Sequence, residues 1–172
     1  QTDTYIEKET DINHEIDKLR LRATTNLMTR KDVIVVASVS CIYNIGSAAE
    51  YGSFILKLEK ENDYERTAIA KRLIELQYER GDYGFHRGTW RVRGDIIDIF
   101  PAYEDTCVRL EFQNTLLTCV SSLDPATGKV LKNLDCIVIY PAKHYMMDPI
   151  KMRNVFGKIR ADLAKEVKRF KE

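Results

Sequence analysis

The strongest chemical signal lies in Arg87-Gly88-Thr89-Trp90-Arg91-Val92-Arg93-Gly94-Asp95-Ile96-Ile97-Asp98-Ile99-Phe100-Pro101, with Val108-Arg109-Leu110-Glu111-Phe112 after it. Side chains two apart on a strand point the same way. Arg91 and Arg93 therefore share a face, as do Arg109 and Glu111, while Trp90, Val92, Val108, Leu110 and Phe112 take the opposite sides. If these strands are neighbours, one surface of the sheet is guanidinium and carboxylate and the other is core. Arg80, at the end of the preceding helix, reaches the rim. A sheet with a plain solvated side shows the same alternation. However, every cation here is Arg, the side chain suited to planar bidentate contacts and enriched in interface hot spots. Glu111 and Asp98 repel phosphates, so the partner expected is a protein.

A second candidate is the loop Ser38-Val39-Ser40-Cys41-Ile42-Tyr43-Asn44-Ile45-Gly46. Small hydroxyl residues after a buried strand suit phosphate oxygens, and Tyr43 suits a base. An ordinary strand-to-helix connection reads the same way. Catalytic motifs are missing: no G-x-x-x-x-G-K-[ST], no G-x-S-x-G and no H-E-x-x-H. The chain is not expected to be an enzyme by itself. Cys41, Cys107, Cys119 and Cys136 form no C-x-x-C pair and sit in apolar or strand-like contexts, so buried reduced thiols are expected. His14, His86 and His144 are far apart, and no metal site is expected.

These residues need elements to hold them. Thr10 or Asp11 caps a helix with Ile12, Ile16, Leu19, Ala23 and Leu27 on one stripe. Val33-Ile34-Val35-Val36-Ala37 reads as a strand covered on both faces. Phe54 to Lys60 is strand-like, and Asn62 or Asp63 caps a helix with Ile69, Leu73 and Leu76 inward. Short strands follow at Thr89–Arg93, Ile96–Phe100, Cys107–Phe112, Thr115–Ser121 and Cys136–Tyr140. The turn residues Gly94-Asp95, Tyr103-Glu104-Asp105 and Asp124-Pro125-Ala126-Thr127-Gly128 lie between them. Closely spaced strands without intervening helices predict an antiparallel sheet, hence an α+β fold. Asp148-Pro149 opens a last helix with Met152, Val155, Ile159, Leu163 and Val167 at spacings of three and four. Its opposite face is rich in Lys and Arg and is most simply solvated.

The 172 residues, 44% hydrophobic and with net charge +1, suffice for one ordinary domain or two small ones. Near-neutral charge argues against attachment to nucleic acid or membrane by bulk electrostatics. The basic excess is confined to residues 146–172. No apolar run approaches the ~20 residues of a bilayer span, and the polar, acidic start is unlike a signal peptide. A cytoplasmic chain is expected, and its beginning without Met suggests a piece of a larger protein.

The runs Asp3-Thr4-Tyr5-Ile6-Glu7-Lys8, Val33 through Tyr43, Arg87–Pro101 and Asp124-Pro125-Ala126-Thr127-Gly128-Lys129 resemble the UvrB family of bacterial nucleotide-excision repair. The likeness covers nearly the whole chain in order. It implies that residues 1–50 are part of a P-loop helicase-type ATPase domain, that 51–145 form an inserted domain docking onto UvrA, and that 146–172 return to the motor. It also implies damaged DNA and UvrC as partners of the intact protein, with ATP and magnesium bound by parts outside this stretch. The family's UvrA contacts fall on Arg80, Arg91, Arg93, Arg109 and Glu111. Its DNA-facing positions fall on Lys8, Arg20, Ser38 and Ser40, beside Tyr43. Two positions depart from the family: Asn44 replaces a common glycine, and Gln113-Asn114-Thr115-Leu116-Leu117 replaces an acidic, glycine-containing turn. The UvrB-like module of a transcription-repair coupling factor is the nearest alternative. A single-stranded-DNA module built on Ser38, Tyr43 and the basic helix is another. An ATP hydrolase is disfavoured by the missing motifs.

Overall fold

The computed structural model describes residues 14–38, 48–144, 146 and 149–171. Helix α1 (His14–Thr29) and the short α2 (Ala48–Ser53) precede strand β1 (Leu56–Glu59) and helix α3 (Arg66–Glu75). Seven strands follow: β2 (Glu79–Arg80), β3 (Thr89–Arg93), β4 (Ile96–Phe100), β5 (Cys107–Gln113), β6 (Leu116–Leu123), β7 (Val130–Leu134) and β8 (Cys136–Ile139). Helix α4 (Pro149–Lys171) ends the described chain. Strands β2 to β7 lie in sequence order in one six-stranded sheet, antiparallel except for the parallel β2–β3 pair. Strands β1 and β8 pair separately. The α+β expectation holds, with β2 and β7 as strands the sequence reading did not contain.

Turn chemistry fixes the register. Gly94, at φ +61, opens the two-residue connection that sets Arg93 opposite Ile96, as a primed hairpin turn requires. Asn114 plays the same part at φ 58 between Gln113 and Leu116. Asparagine tolerates the left-handed region where most side chains do not, so this hairpin closes without a glycine. One face of the sheet packs Trp90, Ile97, Ile99, Val108, Leu110, Phe112, Leu117 and Val120 against Ile69, Leu73 and Leu76 from α3 and its end. Leu58 and Ile139 of the small sheet join this core.

Several expectations change. The α3 cap is Glu65, not Asn62 or Asp63. Asp63 instead bridges to Leu116 and accepts the Thr115 hydroxyl at 2.7 Å. In α1 the packed face is Lys18, Leu21 and Thr25, whereas Ile16, Leu19 and Leu27 are exposed. On that packed face Lys18 reaches Asp105 at 3.1 Å, and Asp105 also pairs with Arg87. No strand forms at Val33–Ala37, where Ile34 is 92% exposed, because no described strand pairs with it. The apolar stripe of α4 at Val155, Ile159, Leu163 and Val167 is exposed as well. Cys107 is buried, but Cys136 is exposed at the start of β8. The cap at Thr10 or Asp11, with Ile12, and the residues Cys41, Asn44 and Asp148 lie outside the described residues.

Candidate docking face

The second face of the six-stranded sheet carries polar rows beside a small apolar cluster, and the register builds the polar part row by row. Arg91 stands opposite Asp98, Asp98 opposite Arg109, and Arg109 opposite Ser121. Two residues along each strand, Arg93 faces Ile96 and Ile96 faces Glu111. Alternation and pairing thus bring Arg91, Arg93, Arg109 and Glu111 onto one surface, as predicted.

The arginines of the first row are not bare charges. The Asp98 side chain is 2% exposed and sits between them. Arg109 donates to it through Nε at 2.8 Å and Nη2 at 3.2 Å, and Arg91 through Nε at 3.1 Å and Nη2 at 3.0 Å. Burial pushes the Asp98 carboxyl up, but the bonds from Arg109 and Arg91 together outweigh it and hold it below the usual range. The same bond raises Arg109. The Arg91 guanidinium lies 4.1 Å from the Phe85 ring centroid, within cation–π reach. Phe85 in turn meets Phe100 at 5.7 Å, in a small apolar cluster with Cys107 and Leu123. Burial there pushes the Cys107 thiol up to about 12, so it stays protonated.

Arg93 and Glu111 differ from that pair. Arg93 is exposed, Glu111 is half-buried, and neither side chain forms an ion pair among the described residues. The surface therefore combines a locked Arg–Asp–Arg row with an adjacent cation and carboxylate available to a partner. Arg80 stands apart. Its register partner is Trp90, its guanidinium lies 5.7 Å from that ring, and its Nε donates to Asp82 at 2.8 Å. It belongs to the sheet edge on the core side rather than to the Arg91 row, because β2 is a strand and not the end of a helix. Phe85 and Ser121 complete the surface, with Asp98 at its centre rather than as a charge that only repels phosphates. Asp98 was legible in the sequence, as the strand partner of Arg91 across Gly94-Asp95. Phe85 lies between β2 and β3, outside any strand, so alternation gives it no side.

Of the positions that the resemblance assigns to DNA, Arg20 and Ser38 fall among the described residues. Arg20 is exposed on α1, where its charge adds to burial in holding the His144 imidazole below its ordinary value. Ser38 is exposed, and Lys8, Ser40 and Tyr43 lie outside the described residues. Among the described residues no three His, Cys, Asp or Glu side chains gather as a metal site. No described helix is long and apolar enough to cross a membrane.

Comparison with known proteins adds an independent finding. Residues 56–145, the small sheet, α3 and the six-stranded sheet, match the family described as the UvrB interaction domain. The chain is 48% identical over 168 residues to UvrABC system protein B of Dehalococcoides mccartyi, covering 98% of this chain and 25% of that protein. It is 44% identical over 169 residues to UvrABC system protein B of Bacillus subtilis, covering 98% and 26%. The chain thus spans about a quarter of the length of the curated relatives it matches.

Proposed function

The chain belongs to the UvrB family through its interaction domain, and on that premise we propose that it is a recruitment segment of nucleotide-excision repair, docking onto UvrA through the face of β3 and β5. The supporting observation is the convergence of Arg91, Arg93, Arg109 and Glu111 on one side of a sheet whose other side packs Trp90, Ile97, Ile99, Leu110 and Val120 into the core. Such a face pairs with complementary charges: rim groups such as Arg93 steer encounter, and desolvated groups set residence time. The segment has no chemistry of its own. ATP, magnesium and UvrC engage other parts of the intact protein, while Lys8, Arg20, Ser38, Ser40 and Tyr43 are the positions of this chain proposed to face damaged DNA.

Calorimetric titration of UvrA with the chain tests this. Arg91→Ala and Arg93→Ala are each expected to weaken binding by about 1–3 kcal/mol. Unchanged affinity in the double variant refutes the docking role. A single-stranded-DNA module instead predicts DNA affinity falling steeply with salt.

A further inference from the structure

We propose that Asp98 is a positioning residue of the docking face: its buried carboxylate locks two arginines by one edge each and thereby aims their remaining donors at the partner. The inference deepens the docking reading and rests on it. Both guanidiniums meet Asp98 through the same pair of atoms, Nε and Nη2. An arginine has five N–H donors in a planar fork, so fixing the Nε–Nη2 edge fixes the plane and direction of the rest. Neither Nη1 donates to a protein acceptor among the described residues. The arginine side chains keep 19% and 26% of their surface, against 2% for the carboxylate between them. The carboxylate is inside and the free edges point outward.

Charge follows the same logic. One carboxylate is shared by two guanidiniums, and the charge of Glu111, two residues along β5, acts on Arg109 as well. Stability alone does not call for this arrangement, since a buried ionic cluster is often matched or bettered by apolar side chains of similar volume. What it supplies is orientation. Two long, rotamer-rich side chains are ordered before any partner arrives, which removes part of the entropy that binding otherwise costs. Phe85 makes the lock asymmetric: its ring backs Arg91 at 4.1 Å, and among the described residues no ring contact of this kind backs Arg109.

A double-mutant cycle on UvrA affinity separates positioning from a merely structural role. Asp98→Asn keeps the shape and removes the charge that holds both forks. It is expected to weaken binding about tenfold. Arg91→Ala and Arg109→Ala should each cost several-fold less in the Asp98→Asn background than in the wild-type chain. Arg93→Ala should cost the same in both, because Arg93 does not touch Asp98. General damage to the fold would not couple to Arg91 and Arg109 while sparing Arg93. Wild-type affinity for Asp98→Asn, or additivity with both row arginines, overturns the proposal while leaving docking intact. Unchanged binding in the Arg91→Ala and Arg93→Ala variants overturns docking itself, and this inference with it. If circular dichroism shows Asp98→Asn unfolded, the cycle is run on Phe85→Leu. Coupling to Arg91 alone then supports the proposal, and additivity overturns it.

Discussion

The sheet domain and helix α4 are both amphipathic by sequence, yet their apolar faces meet different fates. In the sheet domain Ile97, Ile99, Leu110 and Leu117 are wholly buried. In α4 the corresponding stripe is open, with Ile159 at 54% and Leu163 at 61% exposure. Both patterns have the right period; only one finds a covering surface among the described residues. Hydrophobic periodicity states that a face is made to be covered, not what covers it. The polar faces differ too. That of α4 is a scatter of Lys and Arg, while that of the sheet is tied by Asp98 into a fixed geometry.

The largest effect that sharpens this contrast is in the core. Leu110→Ala should lower unfolding stability by about 2–5 kcal/mol, whereas Leu163→Ala on α4 should change it by less than about 0.5 kcal/mol; urea titration of both variants measures the difference. A comparable loss from the two substitutions would erase the distinction between the regions.

Next comes the ionic row. Asp98→Ala leaves two partly buried guanidiniums without their shared acceptor and should cost about 2 kcal/mol in the same titration.

Acid gives a smaller, graded effect. Asp98 is held below its ordinary value of 3.8 in the folded chain. The unfolded state therefore binds the proton first as pH falls, so the stability Asp98 contributes is complete above about pH 4 and is lost below it, down through the lowered folded value. Unfolding curves between pH 5 and 2 should show a shallower acid slope for Asp98→Asn than for the wild-type chain. Equal slopes would mean the carboxylate is not held as described.

The smallest change is local. Asp105 accepts Lys18 from α1 and Arg87 from the sheet domain. Asp105→Asn should speed amide exchange across residues 14–29 and leave β3 to β6 protected.

Much of the sheet domain was legible in the sequence because its signals are local. Gly94-Asp95 sets one register, period-two alternation sorts the side chains, and Ile69, Leu73 and Leu76 mark the inward face of α3. The failures come from information that is not local. Nothing within Val33–Ala37 reveals that no described strand lies beside it. The packed face of α1 carries Lys18, paired with Asp105, 87 residues away, and helical periodicity is blind to that. Arg80 was placed at a helix end because a two-residue parallel strand carries too few residues to show alternation. The row Arg91–Asp98–Arg109 needed only the pairing of β3, β4 and β5, yet Asp98 was read as a repulsive charge and not as the group that organises its neighbours.

The most direct test asks which region touches UvrA. A photo-crosslinking amino acid in place of Ile96, which lies between Arg93 and Glu111 on the sheet, is compared with one in place of Leu163 on α4. The account predicts a UvrA adduct from position 96 and none from position 163; an adduct from 163 with none from 96 would contradict it.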